Sequence, residues 1–455
     1  MMRIELAGRT VEVTIEWPQM DVKDHVIWHL DRDFTTPIRD PLWGHIYLSN
    51  ELAALTDSPE FQQLSRIRQL GPTHLIYPGA THTRLAHSLG VYHIARRMIR
   101  ALLTWGETPA IPREYVTAYL CAALLHDLGH FPFTHSLKEL PLEEHEKLAA
   151  QMVLDGALAS RLRERARVDP GIVARIIDES MDDGGLAEIR LFRRLLSGSL
   201  DPDKLDYLNR DAYYCGVPYG TQDIEYAISR LRPNGTQNIA LERSGISAVE
   251  NILFSKYLMY RAVYWHRDVR VATAMIKEGL YRGLRDGLIT ESDLYGHTDE
   301  SFYAEFGARR EEPFSLVRRV HDRQLYVSAA DIGFDDTSEA HRALERLEYR
   351  SVAAGRLADL ISAELGRDIR PCEVIIDVPE AVSFEVSFPV LDGNAVIDYP
   401  DAGTVFTPAV IDDFTRTLRR IRLVLEPSVA ASLSGAQELL ACVTAQLIEY
   451  RSALE

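Results

Sequence analysis

The residues best suited to catalysis occur together in the segment His126–His130, which reads HDLGH and follows an apolar run. A histidine and an aspartate that are adjacent and buried require a compensating partner, because an unpaired buried charge costs several kcal/mol. His130 follows His126 by four residues and therefore lies on the same helix face. Pro132 disfavours helix at Phe131, so we expect the helix to end here with its polar end facing a cavity.

Two further segments can complete a metal site. The upstream segment Arg84–Gly90 contains His87, and the downstream segment Asp201–Asp211 contains Asp203. One histidine, a histidine-aspartate pair and a distant aspartate form a mixed nitrogen and oxygen ligand set. Such a set suits Mn, Fe, Ni, Mg or Zn and leaves positions open for water and substrate. A divalent ion held in this way lowers the pKa of bound water toward ~7 and so provides a nucleophile at neutral pH.

The surrounding pattern predicts that helices carry these residues. From Asn50 to about residue 285, apolar residues recur at helical spacing, interrupted by glycine and proline turns. Alternating residues in Met2–Trp17 predict a hairpin, and the apolar run Glu373–Val378 predicts a strand. We therefore expect a mainly α protein with three parts: an N-terminal β extension over 1–35, a helical catalytic core over 36–285, and a smaller mixed α+β C-terminal lobe over 286–455.

Composition narrows the functional classes. The chain has 455 residues, of which 46% are hydrophobic and 26% charged, as expected for a folded protein. Its net charge of −17 argues against strong nucleic-acid binding. The four cysteines are scattered and form no CxxC pair, which favours free thiols in a reducing compartment. No signal peptide or membrane-spanning run is visible, so we expect a cytoplasmic protein without a membrane partner.

The order H…HD…D resembles that of the HD-domain metal-dependent phosphohydrolases. The sequence around these residues also resembles one branch of that superfamily. This branch comprises the sterile-alpha-motif-and-HD-domain (SAMHD-like) dNTP triphosphohydrolases and their bacterial relatives, which lack the sterile-alpha-motif domain. The matching segments are Phe61–Leu70, Tyr77–His82, Arg84–Val91, His126–His135 and Asp203–Asp211. The resemblance covers about residues 36 to 285 and implies an HD-domain helical core. The C-terminal lobe matches loosely.

This resemblance implies a role for each residue at a matching position. The metal ligands are His87, His126, Asp127 and Asp203. The catalytic groups beside the scissile phosphate are His130, His135 and His145, together with Asp127. Phosphate oxygens are held by Arg84 and Lys204, and the sugar is contacted by Tyr207, Asp211, Gln69 and Leu70. The helix that closes the pocket contributes Arg261, Tyr264 and His266. Arginine and lysine suit phosphate, and histidine can protonate a leaving oxygen.

The sequence departs from the family pattern beside the catalytic histidines. Phe131 replaces a glycine, and Lys138 stands where relatives carry an acid that orients a catalytic histidine. Glu139 and Glu146 are the two nearby acids that can take over this role.

A second departure concerns control by nucleotide. Asp57 and Gln62 match a site that binds a guanine nucleotide in the vertebrate enzyme, but Ser65 replaces its arginine and Arg39 replaces an asparagine. A serine cannot make the charge-assisted contacts of an arginine. We therefore expect that GTP alone is not an obligatory activator.

Two other functions compete with hydrolysis of a dNTP to deoxynucleoside and triphosphate. The first is a nucleoside monophosphate phosphatase or phosphodiesterase on the same metal site. The second is a nucleotide sensor without activity. Asp203–Asp211 favours the triphosphohydrolase, because it supplies phosphate and sugar contacts together, and the complete ligand set argues against an inactive sensor. The expected partners are a nucleotide substrate and further copies of the chain, since family members commonly form homo-oligomers.

Overall fold

The helical periodicity of the first two thirds of the chain is realised as helices that surround one apolar core. The computed structural model describes residues 2–6, 9–13, 21–105, 108, 110–235, 238–382, 384, 388–393 and 395–451. Within these residues helices predominate and the sheets are small. This confirms the predicted mainly α fold with an N-terminal hairpin and a mixed C-terminal lobe.

Helices of the N-terminal two thirds are named in chain order. They are α1 Val22–Arg32, α2 Asn50–Thr56, α3 Pro59–Gln63, α4 Arg84–Leu103, α5 Arg113–Leu125, α6 His145–Leu154, α7 Gly156–Arg161, α8 Pro170–Ile177, α9 Ala187–Leu196, α10 Pro202–Cys215, α11 Ile224–Ser229, α12 Ile246–Met259 and α13 Arg267–Arg285. A five-residue π-helical turn, Tyr260–Tyr264, separates α12 from α13.

The remaining helices lie in the C-terminal third. They are α14 Asp299–Phe306, α15 Ser315–His321, α16 Glu339–Ala343, α17 Leu347–Leu365, α18 Pro408–Leu418, α19 Pro427–Ser432 and α20 Ala436–Arg451. Among the described residues no helix has both the length and the apolar composition needed to cross a membrane.

The strands form four small sheets. They are β1 Met2–Leu6, β2 Arg9–Val13, β3 Phe34–Asp40, β4 Gly44–Ser49, β5 Leu231–Asn234, β6 Asn238–Glu242, β7 Val327–Gly333, β8 Val374–Asp377, β9 Pro389–Asp392, β10 Ala395–Asp398 and β11 Arg420–Leu425. Two antiparallel hairpins, β1–β2 and β3–β4, stand alone. The other sheets have the orders β10-β9-β6-β5 and β7-β11-β8.

The sheet β10-β9-β6-β5 joins distant parts of the chain. Its strands β6 and β9 run parallel, whereas its other neighbours are antiparallel. These two strands lie on opposite sides of the predicted division at residue 285, which stays a prediction.

The sheet β7-β11-β8 has two apolar faces. Ile375 and Val424 pack into a cluster with α13 residues such as Met275. Ile376 and Leu423 point the other way, into a cluster that also contains residues of α17 and α20. Alternate residues of a strand face opposite sides of a sheet, so this sheet is covered on both. The C-terminal lobe is thereby attached to α13.

Candidate active site

A cavity of about 550 Å³ lies where α4, the end of α5, α10 and α13 meet the C-terminal lobe. Two groups of its lining residues are named for later use. The metal wall consists of His87, His126, Asp127 and Asp203. The lobe wall consists of Lys138, Glu139, Arg270, Lys277 and Glu380.

The metal wall gathers the four predicted ligands around one point. His87 Nε2 lies 2.8 Å from Asp203 Oδ1, and His126 Nε2 lies 3.9 Å from the same oxygen. Asp127 lies between the two histidines, with Oδ1 3.3 Å from His126 Nε2 and Oδ2 3.9 Å from His87 Nε2. One ligand atom each from His87, His126 and Asp203 fit within 4.8 Å of one another.

The imidazoles of the metal wall are turned for ligation. His87 donates from Nδ1 to Asp206 Oδ2 at 2.8 Å, and His126 donates from Nδ1 to the Ala123 carbonyl at 3.0 Å. Each hydrogen bond leaves the Nε2 lone pair directed at the shared point. His126 Nε2 is buried and has no hydrogen-bond partner in the described residues. These donors fit a divalent cation held by two imidazole nitrogens and two carboxylates.

Local sequence explains how these ligands are presented. The apolar helix α5 ends at Leu125, so His126 and Asp127 follow at its buried end. Asp201 caps α10 by accepting a hydrogen bond from the Lys204 backbone at 2.6 Å. Pro202 is the first residue of α10, a position proline favours, which places Asp203 in the first turn.

Gly129 allows α6 to approach the metal wall. A Cβ atom at this position would lie 2.0 Å from the His145 carbonyl oxygen and 2.8 Å from the Ala149 nitrogen. A larger residue would therefore push α6, and His145 with it, away from Asp127. The close packing of α6 therefore explains why a glycine occupies this position of the HDLGH segment, which the sequence alone did not show.

A buried cluster behind His87 was missed by sequence reasoning. Asp206 accepts hydrogen bonds from Arg210 Nε at 2.8 Å and from Trp43 Nε1 at 2.6 Å, besides that of His87. Arg210 also donates to Asp40 Oδ2 at 2.9 Å. Burial opposes ionisation, yet Arg210 and the His87 hydrogen bond hold the pKa of Asp206 below its usual range. The ionised carboxylate therefore orients His87. The feature of the sequence that could have indicated this cluster is an aspartate and an arginine four residues apart, Asp206 and Arg210, in α10.

Three histidines adjoin the metal wall. His130 and His145 stack with ring centroids 3.9 Å apart, and the His135 ring meets them edge-on at 4.7 and 5.3 Å. His130 Nε2 lies 3.1 Å from Asp127 Oδ1. Burial lowers the pKa of His145 to about 3 and that of His130 well below its ordinary value. Removal from water and the neighbouring cations also lower the pKa of His135 well below its ordinary value, although part of its side chain is exposed, so all three rings are neutral at pH 7.

The acid that accompanies these histidines is Glu146. Its Oε2 lies 3.0 Å from His145 Nδ1. Glu139 is engaged elsewhere, because it accepts hydrogen bonds from Lys277 and Arg350. Of the two acids that the sequence left open, Glu146 therefore pairs with a histidine, but with His145 rather than His135.

Arg84 and Lys204, for which phosphate binding stays a prediction, both line the cavity, and both are paired. Arg84 donates from Nη1 to Asp127 Oδ2 at 2.8 Å. Lys204 donates from Nζ to Asp201 Oδ2 at 2.6 Å and to the Gly198 carbonyl at 2.9 Å. Their positive charges are therefore largely matched by carboxylates.

The four residues predicted to contact the sugar, Gln69, Leu70, Tyr207 and Asp211, line the cavity, as does Tyr264 of the predicted closing helix. Tyr264 donates from its hydroxyl to Asp211 Oδ2 at 2.6 Å. His82 donates from Nε2 to Asp211 Oδ1 at 2.8 Å and was not predicted as a site residue, although it lies in a segment that carried the resemblance. The Asp211 carboxylate is thus held from two sides.

Three predicted residues, His130, Arg261 and His266, lie outside the cavity lining. Arg261 donates from Nη1 to the Tyr257 hydroxyl at 2.9 Å. His266 caps α13 by accepting from the Asp268 backbone at 3.3 Å, and its ring meets the edge of Tyr77. The role of Arg261 and His266 in substrate binding stays a prediction.

The fold and the site define a class of protein: a mainly helical scaffold with a candidate metal site of histidines and aspartates. Comparison with known proteins identifies the family. Residues 84–210 match the family described as "HD domain", and residues 223–405 match that described as "HD associated region". The chain therefore belongs to the HD-domain superfamily and is related to its SAMHD-like branch.

Individual relatives support this relation. The chain is 36% identical over 59% of its length to the uncharacterized protein YwfO of Bacillus subtilis (strain 168), covering 60% of that protein. It is 26% identical over 72% of its length to the deoxynucleoside triphosphate triphosphohydrolase SAMHD1 of Danio rerio, covering 56% of it. The chain thus spans less than two thirds of these relatives.

A solved structure supports the fold over most of the chain. A hypothetical protein from Aquifex aeolicus aligns with 88% of this chain and 99% of its own, at a TM-score of 0.66 and 26% identity.

Proposed function

We propose that this protein is a metal-dependent dNTP triphosphohydrolase that cleaves a dNTP into a deoxynucleoside and inorganic triphosphate. One observation carries the proposal: α10 presents Asp203, Tyr207 and Asp211, four residues apart, to the same cavity. Residues with this spacing share a helix face. A metal ligand and two groups suited to a sugar therefore lie in one line, which favours a nucleotide whose α-phosphate is nearest the metal wall.

In the proposed reaction, the oxygen of a water attacks the α-phosphorus and the bond to the sugar 5′ oxygen breaks. The water oxygen stays with the triphosphate, and the 5′ oxygen leaves with a proton as a hydroxyl. A divalent ion in the metal wall supplies Lewis acidity for this chemistry. Arg84 is the nearest guanidinium to that wall, so it is suited to offset phosphate charge.

The histidine cluster is suited to the proton transfer. His135 is exposed beside His130 and His145 and lines the cavity, so its ring can reach a substrate atom. A positioned histidine can protonate a leaving oxygen, and the negative charge of a bound triphosphate would raise the lowered pKa of His135 by opposing the nearby Arg84 and Lys138 charges. His145 is held by Glu146 and is buried, which suits a fixed hydrogen-bonding role better than proton delivery.

The names of the SAMHD1 relatives support a deoxynucleoside triphosphate as the substrate. Ion-exchange chromatography of the products, with a panel of nucleotides and divalent metals, tests the proposal. We expect deoxynucleoside and triphosphate in equal amounts. Accumulation of dNDP with orthophosphate, or hydrolysis of monophosphates or phosphodiesters alone, would assign the protein to a different hydrolase class. Binding without turnover under every metal would indicate a sensor.

The cytoplasmic location and the homo-oligomeric state stay predictions. Subcellular fractionation and size-exclusion chromatography with light scattering would test them.

A further inference from the structure

The cavity contains one cation that its own walls do not neutralise. Among the described residues, six arginine and lysine side chains line it, and five of these form ion pairs with carboxylates. The five pairs are Arg68–Asp299, Arg84–Asp127, Lys204–Asp201, Arg270–Asp377 and Lys277–Glu139. The sixth, Lys138, makes neither an ion pair nor a hydrogen bond within the described part of the chain, and its side chain is exposed.

Lys138 stands between the histidine cluster and the C-terminal lobe. It follows the short turn Thr134–Leu137, which carries His135. Burial raises the pKa of both Glu146 in α6 and Glu380 in the lobe, and the Lys138 charge acts on both in the opposite direction. The ammonium is therefore within electrostatic reach of both carboxyls without pairing with either. Lys138 lines the same cavity as the other four residues of the lobe wall.

The other residues of the lobe wall and the buried side chains that contact them contain four cations and three carboxylates. The cations are Arg270, Lys277, Arg350 and Arg422, and the carboxylates are Glu139, Asp377 and Glu380. Glu139 accepts hydrogen bonds from both Lys277 and Arg350, so this buried cluster has two cations on one carboxylate.

The neighbouring buried cluster, around Asp377, also has two cations for one carboxylate. Asp377 accepts from Arg270 Nε at 3.0 Å, and Arg422 Nη1 lies 3.6 Å from the same carboxylate. Arg422 is 5% exposed, and its Nε and Nη1 atoms have no hydrogen-bond partner in the described residues. An unmatched buried charge is costly, and a nearby anion reduces that cost. In a chain of net charge −17, this local surplus favours a polyanionic ligand at this end of the cavity.

We propose that Lys138, backed by the two buried cation clusters of the lobe wall, forms an anion subsite for the terminal phosphates of a nucleoside triphosphate. The identity of that ligand rests on the proposed function. Arg84 and Lys204 pair with Asp127 and Asp201 beside the metal wall, so they are placed for the α-phosphate, and the terminal phosphates require a further cation. Lys138 has its full charge available, and an ammonium binds phosphate oxygens as a point charge.

Direct binding of inorganic triphosphate tests the subsite without depending on turnover. Calorimetry on the metal-loaded protein compares triphosphate with orthophosphate, with heats of metal chelation subtracted. For Lys138→Ala, we expect affinity for triphosphate to fall about ten- to a hundredfold, and affinity for orthophosphate to change less than about twofold. Lys138→Arg should retain most of the affinity, because the charge is kept.

Lys147→Ala is the matched control. Lys147 lies on α6 outside the cavity lining and pairs with Glu143 at 3.1 Å, so its loss should leave triphosphate binding unchanged. Three results would overturn the subsite: no triphosphate binding by the unmodified protein, wild-type affinity in Lys138→Ala, or an equal loss in Lys147→Ala. A separate product assay tests the proposed function. Triphosphate binding that depends on Lys138, without dNTP hydrolysis, would refute that function and leave the subsite standing.

Discussion

The metal wall and the lobe wall face the same cavity with opposite arrangements of charge. The metal wall places two carboxylates beside the Nε2 atoms of two histidines, which suits a cation. The lobe wall and its buried neighbours place two cations on each of Glu139 and Asp377, which suits an anion. The difference shows how one pocket can hold a divalent ion and a polyanion together. The metal wall is thus the reacting end of the cavity and the lobe wall is the binding end. Substitutions in the two walls should therefore impair different properties of the protein.

Removal of a metal ligand should have the largest effect. We expect Asp127→Ala or His126→Ala to lose the bound metal and about 10³-fold or more in turnover, because the ion contributes several kcal/mol to the transition state. Elemental analysis, circular dichroism and product assays on the same samples check this. His25→Ala, which changes an exposed histidine far from the cavity, is the control. Full activity in either ligand variant would show that the metal wall is not the reacting end.

Disruption of the buried cluster around Asp377, which supports Arg270 of the lobe wall, should lower stability before it lowers metal binding. Asp377→Asn leaves Arg270 and Arg422 without their carboxylate, so we expect the free energy of unfolding to fall by about 3–5 kcal/mol. Metal content should stay at the wild-type level. Urea unfolding and elemental analysis measure the two effects. Loss of metal at unchanged stability would contradict the separation of the two walls.

The same aspartate gives the stability a defined dependence on pH. Burial opposes ionisation, but Arg270 lowers the pKa of Asp377 to about 2. Since its pKa in the unfolded chain is about 4, the ionised carboxylate stabilises the fold above pH ~4, and this contribution is lost as pH falls toward 2. The stability difference between wild type and Asp377→Asn should therefore shrink over that range in urea titrations. A constant difference would mean that Asp377 is not ionised in the fold.

The support behind His87 should have a smaller effect that is confined to the metal. Asp206→Asn keeps the shape of the side chain but weakens its acceptance from His87 and Arg210. We expect metal affinity to fall about ten- to a hundredfold, as is typical when such a supporting partner is changed. Competition with a chelator measures the affinity. Asp31→Asn, which removes a surface pair with Arg100, should leave it unchanged. Equal affinities in both variants would assign Asp206 to packing alone.

The hydrogen bond from His82 to Asp211 should have the smallest effect. His82→Gln removes one partner of a carboxylate that Tyr264 still holds, so we expect KM for a dNTP to rise about fivefold with kcat unchanged. Steady-state kinetics check this, with the exposed His321→Gln as the control. A fall in kcat at constant KM would place His82 with the reacting end instead.

The sequence was most informative where chemistry depends on residues close together in the chain. The HDLGH segment, His87 and Asp203 were singled out by residue type and order along the chain, and the structure brings their ligand atoms together at the metal wall. The helices α4, α5 and α6 follow from apolar periodicity, because a helix face is a local property. The paired strands β6 and β9 were not predicted. Their partners are distant in sequence, and short apolar runs do not specify a partner.

By itself, the sequence determined the family, the mainly α fold and the set of metal-ligand candidates, because these depend on residue type and local spacing. Only the tertiary structure decided which charges remain unmatched. Whether Lys138 is paired depends on where Glu139, Glu146 and Glu380 point, and Glu139 is taken by cations from α13 and α17. Charge pairing across the cavity joins segments more than a hundred residues apart. Coulomb energy depends on distance in space and on burial, and a local sequence motif specifies neither.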